Sequence, residues 1–327
     1  MSGMKIKDLI FEEEKEEFPW DENALKTFKN LIREQRITCL MDDVFLLGFL
    51  RATEFDLPSS LQLLKNYYNT RVNYPQYIKN LLPSKMEDVV NMNIFQYLPK
   101  PDQDGSYICF FRCANWDTSV ANGIDVIRVI LLIWDLQLNL HRTQENKIIC
   151  IVDAEGFSLS HFYNFSPRVM SAFATLALTD SYPLRFREIH YVNMNVIFEA
   201  ILTVFIPLLP DKIKKTIHLH SDITTLTDFI SPDCLPSQLG GNLPPFDPNE
   251  ANKMLKANEE FLRRNEEYVK LYEKSIKNCN EDTSLCKDVN RKEFIEKAEE
   301  IFERHSNNPE DFLACMKENF EFDIDKF

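Results

Sequence analysis

The sequence predicts a mixed α/β fold: a small helical module, then a βαβ-type sheet covered by helices that enclose an apolar pocket, then a helical extension. Apolar residues recur at helical spacing before residue 75, and short apolar runs alternate with longer helical segments between about 90 and 222. After residue 249 the chain is highly charged. We therefore expect an acidic lead-in (1–20), a helical module (21–75), an α/β domain (76–248) and a charged helical extension (249–327).

Helix signals in the first module begin at Asp21, a residue type that favours the N-cap position. Leu25, Phe28 and Ile32 follow at the spacing of one helical face, which predicts a helix to about residue 36. Asp42 and Asp43 predict the start of a second helix over 44–51. A third helix is expected to open at Ser59 and Ser60 and to end near residue 75.

Five short apolar runs predict the strands of the sheet, at 94–98, 107–111, 148–152, 188–192 and 216–220. The run IICIV at 148–152 lacks polar alternation, which is typical of a strand buried on both faces. Asp104 and Gly105 predict the turn between the first two strands. Helices are expected between the others, over 124–140, 167–179 (with Pro167 in the first turn) and 196–206.

A loop rich in Pro and Gly, residues 235–248, is predicted to close the α/β domain. Three helices are expected beyond it. The first two carry thin apolar stripes, and the third spans about 311–319. The stripe residues are Phe261, Tyr268, Leu271 and Tyr272 in the first helix, and Phe294, Ile295, Ile301 and Phe302 in the second.

Composition excludes several classes of protein. A net charge of −14 disfavours nucleic acid as a partner, because phosphate neutralisation requires clustered Lys and Arg. Neither GxGxxG nor GxxxxGK[ST] occurs, so no nucleotide cofactor is expected. The eight scattered cysteines and the glutamate-rich start suggest a reducing cytoplasm. No apolar run reaches the ~20 residues of a membrane span, so peripheral membrane contact is the most that we expect.

Candidate catalytic and metal-binding residues are few. Asp153, Ser158 and His161 lie close in sequence, but the chain lacks a GxSxG motif, and hydroxyl caps of a helix explain AEGFSLSHF. His218 and His220 share one face of a predicted strand without a third zinc ligand in view. We therefore expect neither a catalytic residue nor a metal site, and predict that the protein is not an enzyme.

Apolar side chains exceed what one sheet face needs. The predicted helix at 124–140 is apolar nearly all round, which requires burial on most sides. The segment 196–209 is similar, and Phe157, Phe162, Phe165 and Phe173 lie between the two. Each segment alone is compatible with an ordinary core. Together they favour a lined cavity.

One basic cluster interrupts the acidic background, formed by Arg185, Arg187, Lys212, Lys214 and Lys215. A solvated face is the simpler explanation. The alternative is contact with a phosphoinositide or an anionic bilayer, worth about 1 kcal/mol for each cation near the membrane.

Five stretches of the chain carry a family resemblance. The first is DDVFLLGFLRATEFDLPSSLQLLKNYYNTR (42–71). The other four are IICIVDAEGFSLSHF (148–162), LTDSYPLRFREIHYVNMNVIF (178–198), IPLLPDKIKKTIHLHS (206–221) and LPSQLGG (235–241). Together they resemble the CRAL-TRIO lipid-binding family, in particular the branch of alpha-tocopherol transfer protein and cellular retinaldehyde-binding protein. The first stretch is similar to the family's N-terminal helical module, and the other four follow its lipid domain in order. Residues beyond about 280 have no family counterpart.

The resemblance implies a lipid pocket between sheet and helices, closed by a movable helical gate near 196–211. The predicted pocket residues are Ile127, Ile130, Leu131, Trp134, Ile148, Cys150, Val152, Phe162, Phe165, Phe173, Leu178, Tyr182, Leu184, Phe186 and Ile189. The predicted gate residues are Phe198, Ile201, Leu202, Phe205, Ile206 and Leu209.

The family also implies a function, the binding and transfer of a small hydrophobic lipid such as a tocopherol, retinoid, carotenoid or phosphoinositide. Arg185 and Lys212 fall on positions that bind phosphoinositide phosphates, whereas Thr53 and Thr216 replace two further basic positions of that site. The alternative function is a lipid-sensing adaptor that does not transfer its ligand and recruits a protein partner through the C-terminal extension.

Overall fold

The computed structural model describes residue 18 and residues 20–179, 181–279 and 289–320. Most of the acidic lead-in predicted over 1–20 lies outside these residues. The helices before the third strand are α1 (Glu22–Glu34), α2 (Asp43–Ala52), α3 (Leu57–Asn73), α4 (Pro75–Ile78), α5 (Glu87–Asn91), α6 (Gly123–Gln137) and α7 (His141–Asn146). Those after it are α8 (Leu159–Tyr163), α9 (Pro167–Phe173), α10 (Val196–Phe205), α11 (Asp211–Lys214), α12 (Asn249–Ala257), α13 (Glu259–Cys279), α14 (Val289–His305) and α15 (Pro309–Phe320).

A five-stranded sheet forms the centre of the fold, which confirms the predicted α/β class. Its strands are β1 (Phe95–Tyr97), β2 (Tyr107–Arg112), β3 (Ile148–Asp153), β4 (Phe186–Val192) and β5 (Ile217–Leu219). They lie side by side in chain order, with β1 antiparallel to β2 and the others parallel. Gly105 adopts the left-handed φ of 83° that turns the chain between β1 and β2, although the connection is longer than a two-residue hairpin loop.

The two faces of the sheet bury different clusters. Phe110, Ile149 and Val192 pack into a small cluster beneath the segment 223–239. The opposite face packs against α6, α9 and α10 and belongs to the main core. A register shift where β3 meets β4 pairs Ile148 with Phe186 and Ile149 with Glu188. Because of this shift, residues three apart on β4 can face the same cluster.

The N-terminal module begins as the sequence predicts. The Asp21 carboxylate accepts hydrogen bonds from the backbone N–H groups of Asn23 and Ala24, at 2.8 and 3.1 Å. The predicted opening of α3 at Ser59 and Ser60 is wrong, because the helix starts at Leu57. Asp56 is its N-cap and accepts from the Ser59 N–H at 3.0 Å, so this serine lies inside the first turn.

A buried ion pair joins the N-terminal module to the sheet domain. Arg71 Nη2 of α3 lies 2.6 Å from Asp135 Oδ1 of α6, and both side chains are almost fully buried. Tyr67 and Tyr182 donate to the same oxygen, at 3.3 and 2.5 Å, and the guanidinium lies over the Tyr67 ring. Burial is the largest single influence on the pKa of Arg71 and lowers it, but the charge of Asp135, the hydrogen bond to it and the hydroxyls of Tyr67 and Tyr182 together outweigh burial, so the net pKa is raised. The guanidinium of Arg71 therefore stays charged.

The C-terminal helices pack against the helices that cover the sheet. The Phe162 ring of α8 contacts Phe302 of α14 and Phe312 of α15, at centroid distances of 5.1 and 5.4 Å. Glu299 of α14 accepts from the backbone N–H of Arg168, at 3.1 Å. The contact between α10 and α15 is the most extensive one between described helices. The predicted stripe on α13 is wrong at Leu271, which is 45% exposed.

A histidine cluster lies on the side of the sheet away from α10. His190 of β4 is buried, with Nδ1 2.9 Å from Nε2 of His220 and Nε2 3.3 Å from Glu188. The His218 ring stacks on His190 at 5.1 Å, and Phe229 covers the group. Burial, then the adjacent His220 and His218, lowers the pKa of His190 to about 3.

This lowered pKa predicts a loss of stability in acid. Between pH 6.5 and about 3 the unfolded chain binds a proton at position 190 that the folded chain does not. The free energy of unfolding should therefore fall as the pH falls, by up to about 1.4 kcal/mol per pH unit from this group. Urea denaturation at pH 7, 6 and 5 measures the slope. His190→Gln should reduce it, and equal slopes in both proteins would contradict the assignment.

Candidate lipid-binding cavity

An apolar cavity of about 120 Å³ lies between the sheet and helices α6, α9 and α10. Eighteen side chains line it, and none of them is charged. An apolar cavity of about 150 Å³ can hold benzene, whereas pockets for larger ligands span roughly 300–1,000 Å³. A cavity of this volume therefore has room for only a small group.

The lining combines one stripe of a helix, one face of the sheet and two further helices. On α6, Ile127, Ile130 and Trp134 recur at helical spacing and face the cavity. After α9 a π-helical turn, Ala174–Leu178, continues the chain and brings Leu178 to the wall. The lining residues that the sequence predicts for the pocket are Ile127, Ile130, Trp134, Cys150, Val152, Phe165, Phe173, Leu178, Phe186 and Ile189.

Five predicted pocket residues do not line the cavity: Leu131, Ile148, Phe162, Tyr182 and Leu184. Phe162 packs instead against the C-terminal helices, as described above. The Tyr182 hydroxyl donates to Asp135. Leu131 and Ile148 are fully buried elsewhere in the core, and Leu184 is only partly buried.

Four lining residues were not predicted from the sequence: Phe95, Phe111, Met170 and Tyr191. Three of them form one register row with Val152, because Phe95 pairs with Phe111, Phe111 with Val152, and Val152 with Tyr191. The sequence predicts Val152 as a pocket residue, but it does not show which residues of the neighbouring strands pair with it. Without that pairing, the other three residues of the row could not be assigned to the cavity.

Helix α10 provides one wall of the cavity. Phe198, Ile201, Leu202 and Phe205 line the cavity and lie on one face of this helix. Ala200, Thr203 and Val204 lie on the opposite face and are fully buried as well. Two predicted gate residues, Ile206 and Leu209, are buried outside the lining. The helix is thus enclosed on two sides, by the cavity and by its contact with α15.

The five basic residues near the cavity differ in their partners. Arg187 forms ion pairs with Asp102 and Asp104, at 2.5 and 3.2 Å. Arg185 donates to the backbone oxygen of Glu145 at 3.0 Å. Lys212, Lys214 and Lys215 lie on or directly after α11, and Lys212 and Lys215 are exposed. The two arginines are therefore engaged within the protein, and Lys214 forms an ion pair with Asp211 at 3.5 Å. Lys212 and Lys215 form the accessible part of the cluster.

Ser158 and His161 do form a hydrogen bond, but its surroundings are those of a helix cap. Ser158 Oγ lies 2.8 Å from His161 Nδ1, which also accepts from the Ser158 backbone N–H. The other imidazole nitrogen faces the Trp116 backbone oxygen at 2.9 Å. Asp153 instead accepts from Asn193. The carboxylate that would orient a catalytic histidine is thus not at this imidazole.

Two further properties bear on the site. Within the described ranges, no group of three or more His, Cys, Asp or Glu side chains is arranged to hold a metal ion. Nor does any helix in the described part of the chain combine the length and apolar character needed to cross a bilayer.

Comparison with known proteins identifies similar sequences over most of the chain. Residues 91–241 match the family model described as CRAL/TRIO domain. Alpha-tocopherol transfer protein-like of Mus musculus is 32% identical over 252 residues, covering 76% of this chain and 73% of that protein. Clavesin-1 of Xenopus laevis is 35% identical over 212 residues, 63% of each chain. A solved structure, the crystal structure of Sfh5, matches with a TM-score of 0.48 at 15% identity, covering 80% of this chain and 100% of that one.

Proposed function

This chain belongs to the CRAL/TRIO domain family, and from that premise we propose that it binds a small hydrophobic lipid in the cavity and transfers it between membranes. The observation that carries the proposal is the cavity itself, whose eighteen lining side chains are uncharged. Moving a hydrocarbon chain out of water is favourable by about 0.8 kcal/mol of free energy for each CH₂ group. A carrier must therefore match the bilayer in apolar character, and this lining supports such a match.

In this proposal α10 is the movable gate. The closed cavity is too small for a long-chain lipid, so one wall has to open. Helix α10 is a suitable wall, because it presents four apolar side chains to the cavity and is only ten residues long. Lys212, Lys214 and Lys215 follow it closely in the chain. They would draw this edge of the protein to an anionic bilayer, with about 1 kcal/mol from each cation.

The C-terminal helices hold the gate closed in this proposal. Helix α15 packs against α10, and α14 packs against α9, so the extension contacts two walls of the cavity. Arg291 of α14 donates to the Ser171 oxygen and the Thr175 hydroxyl, at 3.2 and 3.0 Å. Opening α10 outwards requires the contact between α10 and α15 to loosen. The extension therefore controls the rate of lipid exchange.

A pair of tryptophan substitutions on α10 tests the proposal. Ile201→Trp adds a large ring to the cavity wall, whereas Val196→Trp adds the same ring to a position that is 37% exposed. We expect Ile201→Trp to lower lipid binding at least tenfold, equivalent to about 1.4 kcal/mol, because the ring occupies the ligand's space. Val196→Trp should bind normally.

Vesicle-to-vesicle transfer of a fluorescent lipid and mass spectrometry of co-purified lipid provide the measurements. Equal binding by both variants would contradict the cavity as the binding site. Binding without transfer by the unchanged protein would instead support the lipid-sensing adaptor.

A further inference from the structure

Trp134 supplies the only side-chain nitrogen among the eighteen residues that line the cavity. Its side chain is 2% exposed, and its indole N–H is buried without a hydrogen-bond partner. A buried N–H group that has given up its bonds to water normally has a partner within the protein. An unpaired donor on a side chain that lines the cavity therefore points to a partner that the ligand would bring.

The other two tryptophans differ from Trp134 in informative ways. Trp116 is buried too, but its indole N–H donates to the Ala121 backbone oxygen at 2.8 Å. The indole N–H of Trp20 is unpaired, but its ring stacks on His141 and does not line the cavity. Of the three, only Trp134 combines an unpaired donor with a place on the cavity wall.

The surroundings of Trp134 provide few alternative partners. Phe95, Phe173 and Phe186 stand around the indole at centroid distances of 6.0, 6.3 and 5.5 Å, and all three line the cavity. On another side lies Tyr182, at 5.8 Å, whose hydroxyl donates to Asp135. Trp134 thus carries an unpaired N–H group on a side chain surrounded by the aromatic rings of the cavity wall.

We propose that the Trp134 indole N–H donates a hydrogen bond to the ligand, and that the ligand is a neutral lipid with a carbonyl oxygen. This inference rests on the proposed lipid binding and adds the chemical class of the lipid. An indole N–H can only donate, so it requires an acceptor. A carbonyl oxygen accepts without bringing a proton that needs its own partner. A carboxylate or phosphate would be buried without a compensating charge, since the lining is uncharged.

Nuclear magnetic resonance of the full chain tests the hydrogen bond directly. The three indole N–H signals are assigned with single Trp→Phe variants, and the unchanged protein is titrated with hexadecan-2-one and, separately, with hexadecane. We expect the Trp134 signal to move downfield with the ketone relative to the hydrocarbon. The Trp20 and Trp116 signals should coincide in the two titrations and serve as internal controls.

Binding affinity gives a second measurement. Trp134→Phe keeps an aromatic ring and removes the donor, so it should weaken hexadecan-2-one about tenfold more than hexadecane. The measurement is the loss of affinity for hexadecan-2-one divided by the loss of affinity for hexadecane. A change in ring size affects both ligands alike and therefore cancels in this ratio. If both ligands bind but the Trp134 signal and the ratio do not respond to the carbonyl, this inference is overturned and the lipid-binding proposal stands. If the unchanged protein binds neither, both fail.

Discussion

Asp135→Ala is expected to lower the free energy of unfolding by about 3–5 kcal/mol, because the substitution leaves the charge of Arg71 buried and unpaired. The guanidinium is almost fully buried and cannot reach water without disrupting the packing around α3. Tyr67 and Tyr182 would lose their shared acceptor as well. Chemical denaturation at pH 7 measures the change.

Two controls separate the buried pair from a general effect of removing a carboxylate. Glu250→Ala breaks the exposed pair with Lys253, so it should change stability by less than about 0.5 kcal/mol. A double variant, Asp135→Leu with Arg71→Met, removes both charges and should recover much of the loss. If the single and double variants were equally unstable, the cost would lie in packing and not in the unpaired charge.

Most of the fold is readable from local patterns in the sequence. The five strands occur where apolar runs predict them. The clearest of these is β3, because a strand buried on both faces needs consecutive apolar residues whatever its neighbours are. The helix starts are predicted less accurately. At α3, for example, Asp56 is the N-cap, whereas the prediction places the start of the helix at Ser59 and Ser60. The side chain that captures a free backbone N–H decides a helix start, and several nearby residues can compete for it.

The cavity lining is only partly readable, for a different physical reason. Its helical residues follow from spacing, as Ile127, Ile130 and Trp134 do. The row of Phe95, Phe111 and Tyr191 requires strand register, which no single strand contains. Phe162 looks like a pocket residue in sequence, but its partners Phe302 and Phe312 lie in the C-terminal extension. Contacts made by that extension could not be inferred from the resemblance, because the matching stretches end at residue 241.

Phe312→Ala is expected to accelerate lipid exchange by loosening the C-terminal helices from the gate. Phe312 is fully buried in α15 and contacts Phe162 and Phe302. Truncating a buried phenylalanine costs about 3–5 kcal/mol. If the substitution destabilises the closed state by only about 1.4 kcal/mol more than the open state, the population of the open state rises about tenfold. The rate of vesicle-to-vesicle transfer should rise by at least that factor, because opening limits exchange in a gated carrier.

Leu226→Ala provides the matched control, because it removes a fully buried side chain from the small cluster on the other side of the sheet. Its cost, about 2–5 kcal/mol, is similar to that of Phe312→Ala. It should leave the exchange rate unchanged, since Leu226 belongs to the cluster away from α10 and α15. Hydrogen exchange should be faster in α10 for Phe312→Ala and unaltered there for Leu226→Ala. If both variants accelerated transfer equally, general destabilisation would explain the effect, and the extension would not act on the gate.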